Sequence, residues 1–573
     1  MNLTSASRTF QLLKRAFDTR TPTESFLPPS GEKKSLPIAP VPLSLPRCQP
    51  EVEGISSDHI RLFLEELARG SDLYIQNAMI LRHGKVLCSA SFGGQNLSVP
   101  KYTFSVCKSV TSLAIGLLVG DGALQLQDTL GELLEEASPS TVSKKMRSIT
   151  VENLLTMRTG VQYSEADSLT ESDWVRGYLS AAIRGEPGTE FQYNSLNTYM
   201  LSVIVCRLTG TSMTEFLRKR LFGPLGIENI WWETCPSGYE KGGWGLYICP
   251  EDLAKLGILV MNGGQWQGRQ LIDKDYLRAA TTAHAVPSPA LGDFNYGYQM
   301  WVGRHENTFL FNGMLGQNML CFRDSGIIVV TNAGADTDYQ ESRYFEIVSR
   351  YFGGSFPHTL PAATAAQSRL AETVASLSSY NRAPEALAGR GQPFMHRTFS
   401  AADPKAAAVG LLPVALQVLH NNYSAGLLSV AVSERGGLPE LIWREQDALY
   451  RLPVGLGRPA VSQLSFRGDH YHIAALGRFT HDEEERDVFY IRLEFLETPC
   501  VRIIKLLATP EGILLRLGET PGIPYITKHL AAAAEQPLYR PLLLVGLGGS
   551  EEDFLHYKAQ QLLAPEITMT AAN

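Results

Sequence analysis

An apolar run between Thr103 and Leu124 constrains the fold of this chain more than any other stretch. Its apolar residues recur every three or four positions, which is the period of a helix that buries one side. The run is shorter than the roughly 18 apolar residues that a membrane span needs, and Gly120-Asp121-Gly122 ends it. We therefore predict a central helix in the core of a water-soluble domain.

Two polar residues with complementary chemistry stand at the start of this helix. Ser105 and Lys108 are three positions apart, so they share one helix face. A serine hydroxyl becomes a nucleophile only when a base removes its proton, and a lysine is such a base only when burial or nearby cations lower its pKa. The positive end of the helix dipole favours both the neutral amine and a developing oxyanion. The pair thus indicates nucleophilic catalysis. A helix-capping serine beside a solvated lysine is the alternative, because it has the same spacing. The spacing is also not unique, since Ser30-Gly31-Glu32-Lys33 in the proline-rich leader matches it.

Length and composition limit the class of protein. A chain of 573 residues exceeds one ordinary core, so we expect at least two domains. The net charge of −7, spread without long runs, disfavours a nucleic-acid partner, which needs a basic face. Eight cysteines lie scattered without a C-x-x-C pair, which predicts reduced thiols and neither a zinc site nor a disulfide framework.

Targeting signals are absent from the pattern of apolar residues. No stretch is typical of a signal peptide or a transmembrane helix, so we expect a cytoplasmic protein without a membrane span. The first twenty residues mix apolar and basic side chains, so a transit peptide or a surface-binding segment is an alternative interpretation of this stretch. Asp18 and Glu24 follow at once and favour a short N-terminal helix.

Changes in composition divide the chain into four segments. Residues 1–50 form a proline-rich leader, and residues 356–393 a linker with an alanine-rich helix. Residues 51–355 have strand patterns at both ends and helices between them, which predicts an α+β domain whose terminal strands meet in one antiparallel sheet. Residues 394–573 alternate in short runs bounded by turns, which predicts an all-β meander domain.

Periodicity and turn residues predict the individual elements. The predicted helices are 57–69, 128–136, 150–157, 199–208, 242–263, 339–352 and 362–379. The predicted strands are 74–81, 86–92, 296–302, 319–322, 326–332, 427–432, 441–443, 489–495, 501–507 and 513–517.

Further motifs follow Ser105-Val106-Cys107-Lys108 along the chain. They read LLTMRTG at 154–160, PGTEFQYNS at 187–195, GWGLYICPEDLA at 243–254 and YGYQMW at 296–301. The S-x-x-K spacing is that of serine β-lactamases and penicillin-binding proteins. As an ordered set the motifs resemble the serine β-lactamase-related hydrolases of the class C and penicillin-binding-protein-like type, especially 6-aminohexanoate-dimer hydrolases and family VIII-type carboxylesterases. The resemblance extends over roughly residues 51–352.

This resemblance implies a fold, a reaction and catalytic roles. The fold is a β-lactamase/transpeptidase-like antiparallel sheet flanked by helices, with an α-helical subdomain, and the reaction needs no metal or cofactor. Ser105 would be the acylated nucleophile, with Lys108 in its proton relay. Tyr193, the first residue of the Y-x-N motif, would be a general base or proton shuttle; its pKa must fall from about 10, for which Lys108 supplies the charge. Which of the two is the base stays open, because coupled groups share their titration.

The resemblance also implies residues that hold the substrate. Backbone N–H groups of Ser105 and of the Gly313–Gln317 segment would form the oxyanion hole, with Gln317 as the predicted donor and Met314 behind it. Tyr163 lies in a loop where dimer hydrolases use a tyrosine to contact substrate, so we predict the same contact here. The resemblance also places Ser195 and Gly316 among the residues of the oxyanion hole and the substrate site.

Two departures from the family pattern narrow the class of substrate. Ser195 replaces the usual asparagine of the second motif, whose amide binds the acyl side chain of β-lactams. Met314-Leu315-Gly316 stands where the family has Lys-Thr-Gly or His-x-Gly, so a substrate carboxylate would find no counter-charge in the third motif. We therefore predict that the substrate is a small neutral ester or amide, with a linear amide or oligomer among the choices.

Other interpretations compete with this prediction. The chain would alternatively be a non-catalytic binding or regulatory protein on the same fold, or a peptidoglycan-type D-amino-acid peptidase, which needs export. A homodimer is left open. His470, His472, His481 and Asp482 invite a metal hypothesis, but a solvated strand face explains them better. Trp231-Trp232 is expected to pack in the core.

Overall fold

The computed structural model describes residues 22, 44–135, 142–168, 171–304, 307–336, 343–378, 391–446, 448–534 and 551–572. Most of the predicted leader, including the N-terminal helix and Ser30-Gly31-Glu32-Lys33, lies outside these residues. The chain divides into two compact units. Of the described residues, 44–92 and 96–377 belong to the first unit, and 22, 93–95, 378 and 391–572 belong to the second.

An antiparallel sheet forms the centre of the first unit, with seven strands in the described part of the chain. Its N-terminal hairpin pairs with a strand from the far end of the unit, as predicted. Neighbouring residues of one strand enter different apolar clusters, Met79 and Leu81 on one face and Ala78 and Ile80 on the other. Both faces of the sheet are therefore covered. The strand order is Lys85–Ser91, Ile75–Arg82, Ile327–Ala333, Gln317–Phe322, Thr308–Gly313, Trp301–Gly303 and Phe294–Tyr296.

The predicted central helix spans Val106–Gly120 and is here called the nucleophile helix. Every residue from Val106 to Leu118 is buried, so this helix runs through the core and not along the surface. The other α-helices described in the first unit are Ser57–Arg69, Leu130–Leu133, Lys144–Arg147, Val151–Leu155, Glu165–Ser168, Trp174–Leu179, Ser195–Thr209, Met213–Leu217, Gly223–Leu225, Pro250–Met261, Lys274–Ala280, Arg343–Phe352 and Thr364–Ser378.

Two predicted elements of this unit are wrong. The expected helix 242–263 is a loop, a strand at Leu246–Ile248 and a helix that begins only at Pro250, because proline favours the first turn of a helix. The expected strand 296–302 is a tight hairpin in which Tyr296 pairs with Trp301. The spacing of the apolar residues suggested one strand there, but every residue from Tyr296 to Trp301 is buried, so the turn as well as the arms lies in the core.

The second unit contains one large sheet, with eleven strands among the described residues. It confirms the predicted β domain, although helices Val414–His420, Ile523–Ala534 and Glu551–Leu563 accompany the sheet. The strand order is Leu449–Pro453, Leu438–Glu445, Leu427–Arg435, Arg397–Ala401, Glu566–Ala571, Gly512–Thr520, Val501–Thr509, Asp487–Phe495, Asp469–His481 and Gly455–Leu456, with Ala460–Phe466 also paired to Asp469–His481.

The side chains of the metal hypothesis, and one of the two neighbouring tryptophans, form hydrogen bonds or ion pairs with other protein groups. His472 bonds to Glu497, His470 bonds to Ser465, and His481 faces Asp487 across the hairpin. Asp482 pairs with Arg486, and the indole N–H of Trp232 donates to the Trp244 carbonyl. In the part of the chain that the structure describes, no helix has the length and apolarity to cross a membrane.

Candidate active site

Ser105 lies immediately before the nucleophile helix, in a turn held by the backbone. The Val106 N–H donates to the Thr103 carbonyl, and the Lys108 N–H donates to the Ser105 carbonyl. Phe104, between Thr103 and Ser105, has a φ of +47°, a conformation that costs about 1–3 kcal/mol in a non-glycine residue. Its ring packs edge-on against Tyr102, with the ring centroids 4.6 Å apart. Strained backbone therefore sits next to the predicted nucleophile and is held there by packing.

Lys108 is buried directly beneath Ser105, with an exposed fraction of 1%. Its Nζ lies 2.8 Å from Ser105 Oγ, 2.8 Å from Ser195 Oγ and 2.7 Å from the Gly243 carbonyl oxygen. Burial lowers the pKa of Lys108 from 10.5 to about 8, because the charged ammonium is poorly solvated there. Electrostatic interactions with Cys107 and Glu165 oppose this shift only partly. A substantial fraction of the amine is thus neutral near physiological pH and able to accept a proton.

The helix that carries Ser195 begins at that residue and not at residue 199 as predicted, and its first turn brings Ser195 to this lysine. The helix spans Ser195–Thr209, with Asn194 as its N-cap. The Asn194 side chain accepts from the Leu196 N–H and donates to the carbonyls of Val161 and Tyr163. This capping turn fixes the start of the helix and places the Ser195 hydroxyl against Lys108.

Tyr193 also lies beside Lys108, and its ring is fixed by aromatic neighbours. Lys108 Nζ lies over the face of the ring, 4.9 Å from its centroid. The ring stacks on Trp301, with a centroid distance of 5.8 Å and an interplanar angle of 21°. The structure therefore brings Ser105, Lys108, Tyr193 and Ser195 together. The proton-carrying role of Tyr193 stays a prediction.

The predicted oxyanion segment begins where a strand passes close to the nucleophile. A Cβ at Gly313 would lie 2.3 Å from the Thr103 carbonyl oxygen and 3.2 Å from the Ser105 nitrogen, so only glycine fits. Gln317 is the register partner of Gly313, and its side chain donates to the Ala333 carbonyl and accepts from Asn332. The end of this hairpin thus lies next to the Ser105 amide, while its assignment as the oxyanion hole stays a prediction.

Met314 and Gly316 form the turn of the same hairpin. Met314 is half-buried, and Leu315 after it has φ +61°. Gly316 has φ +85°, and a Cβ there would lie 2.7 Å from the Ala333 Cβ. The turn therefore needs Gly316 for its backbone conformation and for close packing on the neighbouring strand.

Tyr163 is placed in the core, although its backbone touches the site. Its side chain is 4% exposed, and a Cβ at Gly177 would lie 2.7 Å from the Tyr163 hydroxyl oxygen. The Tyr163 carbonyl accepts from Asn194, which connects this loop to the capping turn before Ser195. Substrate contact by Tyr163 stays a prediction, and its described contacts are those of a packing residue.

Sequence reasoning missed two residues that support the site. Gly243 supplies the carbonyl for Lys108, and a Cβ at this position would lie 2.6 Å from the Ser195 carbonyl oxygen. Gln299 accepts at its backbone carbonyl from Ser109 and at its side chain from Thr198, while its Nε2 donates to the carbonyls of 154 and 155. Both lie inside motifs that carried the family resemblance, which was the available signal.

Replacing Gly313 with alanine is expected to slow acylation of Ser105 roughly a hundredfold, because the added methyl pushes the hairpin away from the nucleophile. The measurement is the rate of adduct formation with a fluorophosphonate probe. Gly354→Ala is the control, since a Cβ there meets nothing within 4 Å. Equal rates for Gly313→Ala and the native chain would contradict the close approach.

Parts of this chain are similar to known proteins. Residues 77–347 match the β-lactamase family. The 6-aminohexanoate-dimer hydrolase of Paenarthrobacter ureafaciens is 25% identical over 292 residues, which is 45% of this chain and 73% of that protein. Protein Flp of Staphylococcus aureus strain COL is 26% identical over 162 residues, 26% of this chain and 32% of its own length. The penicillin-binding protein of Bacillus halodurans aligns structurally with a TM-score of 0.39 and 19% identity over 51% of this chain and 98% of its own.

The sheet, the buried nucleophile helix and the Ser105–Lys108 pair together define a serine hydrolase with a β-lactamase/transpeptidase-like fold. Residues 77–347 are a domain of the β-lactamase family, and the chain adds a C-terminal β domain to it.

Proposed function

We propose that this protein hydrolyses a small neutral ester or amide through an acyl-enzyme on Ser105. The observation that carries the proposal is the contact of 2.8 Å between Lys108 Nζ and Ser105 Oγ, made by a lysine whose pKa burial lowers to about 8. A neutral amine at hydrogen-bond distance from a serine hydroxyl has the geometry and the basicity of a general base.

Acylation would start with proton transfer from Ser105 Oγ to Lys108 Nζ. The Ser105 oxygen attacks the substrate carbonyl carbon, and the resulting oxyanion accepts from the Ser105 N–H and from the hairpin end at Gly313–Gln317. When the leaving group departs it takes up the proton that Lys108 accepted, the carbonyl re-forms and the acyl group stays on Ser105. Water then attacks the carbonyl carbon of the acyl-enzyme and gives its proton to Lys108. The proton returns to Ser105 Oγ as the bond between that oxygen and the acyl carbon breaks and the acid is released. Tyr193, beside Lys108, is the proposed second proton carrier.

The third motif supports a neutral substrate, and one relative supports an amide substrate. Met314-Leu315-Gly316 contributes no cation, so a substrate carboxylate gains nothing from it. The relative from Paenarthrobacter ureafaciens is named 6-aminohexanoate-dimer hydrolase, so linear amides and their ester analogues are the first substrates to assay. A cytoplasmic location is part of this proposal and is supported by the eight cysteines, which are free thiols within the described residues.

The test is intact-mass spectrometry after incubation with a fluorophosphonate probe, comparing the native chain with Ser105→Ala. We expect one adduct on the native chain and none on the variant, followed by turnover on ester and amide panels. Ser109→Ala is the matched control, because Ser109 lies on the same helix and bonds to the Gln299 carbonyl. A folded native chain without an adduct would refute the proposal and favour a binding protein on this fold.

A further inference from the structure

The hydrogen-bond partners of Lys108 restrict where its proton can go. A neutral lysine amine has two hydrogens to donate and one lone pair. Its described partners are the Gly243 carbonyl, which only accepts, and the hydroxyls of Ser105 and Ser195, which donate or accept. One hydrogen therefore goes to Gly243, and the lone pair and the remaining hydrogen are shared between the two serines.

Before reaction, the lone pair must face the nucleophile. When Ser105 Oγ–H donates to Nζ, the remaining Nζ hydrogen points to Ser195 Oγ as its acceptor. The Ser195 hydroxyl hydrogen is then directed away from the lysine. This arrangement orders a chain of hydrogen bonds that runs from Ser105 through Lys108 to Ser195.

The position of Ser195 is fixed from several sides. Its side chain is 5% exposed, and it opens a helix whose N-cap, Asn194, is anchored to the carbonyls of Val161 and Tyr163. Its backbone packs so closely on Gly243 that a Cβ at that glycine would lie 2.9 Å from the Ser195 Cβ. Ser105 Oγ and Ser195 Oγ each lie 2.8 Å from Lys108 Nζ, so one nitrogen contacts both hydroxyls and is placed to pass a proton from one to the other.

We propose that Ser195 is a relay residue that delivers the proton of Lys108 to the leaving group. This inference rests on the proposed hydrolase function. As the tetrahedral intermediate collapses, the bond from carbon to the leaving group breaks and its electron pair goes to the leaving atom. That atom takes the proton of Ser195 Oγ, Ser195 takes one from the Lys108 ammonium, and the lysine returns to its neutral form.

A relay to the leaving group has a signature that a structural role lacks. A poor leaving group such as ethoxide needs a proton as it departs, whereas p-nitrophenolate and fluoride leave without one. We therefore expect Ser195→Ala to lower kcat/KM for an ethyl ester roughly a hundredfold. For the p-nitrophenyl ester of the same acid, and for labelling by the fluorophosphonate, we expect a loss within about threefold, since the nucleophile and its base remain.

The experiment measures both esters with the native chain, Ser195→Ala, Tyr193→Phe and Ser202→Ala. Ser202 is a matched control, a buried serine on the same helix that donates to the carbonyls of Tyr199 and Glu240. A selective loss on the ethyl ester in Ser195→Ala, absent from Ser202→Ala, supports the relay. The same loss on both esters, or lost labelling, overturns it and makes Ser195 a residue that orients Lys108. A selective loss in Tyr193→Phe instead assigns the relay to Tyr193.

The same data separate this inference from the proposed function. If the native chain is labelled at Ser105 and hydrolyses the p-nitrophenyl ester, the hydrolase proposal stands whatever Ser195→Ala does. If the native chain neither labels nor turns over, the hydrolase proposal fails, and the relay assignment fails with it.

Discussion

Replacing Lys108 with methionine is expected to slow acylation of Ser105 roughly a thousandfold, because it removes the base that lies 2.8 Å from the nucleophile. Methionine fills much of the same buried volume, so the loss reports chemistry more than packing. The measurement is the second-order rate of fluorophosphonate labelling, followed by intact mass. A rate within a factor of about three of the native chain would contradict the role of Lys108.

The pH profile of the native chain is part of the same prediction. Only the neutral amine accepts a proton, and the pKa of Lys108 is about 8. The acylation rate should therefore rise with pH through about 8 and level off above it. In Lys108→Met the residual rate should lose this step.

Stability measurements test the pKa of Lys108 independently of catalysis. Burial lowers the pKa of Lys108 in the folded state, so the unfolded chain binds more protons between pH 8 and 10.5. The free energy of unfolding of the native chain should then rise relative to Lys108→Met as the pH rises through this window. Lys255→Met is the matched variant, because Lys255 is equally buried but pairs with Asp252. It should lose stability while its folded fraction still labels.

Replacing Arg502 with methionine is expected to destabilise the second unit by about 3–5 kcal/mol. Arg502 and Glu519 form an ion pair of 2.9 Å in which both side chains have 0% exposure. Arg502 also donates to the carbonyls of Leu411 and Leu412, and Glu519 accepts from the backbone N–H of Val414. Removing the guanidinium leaves the buried Glu519 carboxylate without its counter-charge. It also leaves the backbone carbonyls of Leu411 and Leu412 without this hydrogen-bond donor.

Denaturant unfolding of the full chain, followed by circular dichroism, measures this loss. Arg516→Met is the control, because Arg516 pairs with Glu566 on the surface, where the two side chains are 40% and 56% exposed. A surface pair of this kind contributes about 0–1 kcal/mol. The double variant Arg502→Met, Glu519→Leu should recover part of the stability, since no buried charge is then stranded. Equal losses for Arg502→Met and Arg516→Met would show that the buried pair is not needed.

The sequence by itself determined the position of most helices and strands in the first unit. The period of the run after Thr103 predicted the nucleophile helix, and the apolar runs around residues 75–91 and 327–333 predicted strands that meet in one sheet. These features are local, since apolar residues at helix or strand spacing report a buried face directly. The order of the motifs also predicted that Ser105, Lys108 and Tyr193 come together.

The tertiary structure alone decided the partners of Lys108. Ser195 is 87 residues away in sequence and Gly243 is 135, and no local period records a contact over such a distance. The sequence assigned Ser195 to substrate and placed Gly243 in a helix, whereas the fold turns both toward the amine. A proton path depends on distances of about 3 Å between atoms, and only the packing of whole helices and strands sets such distances.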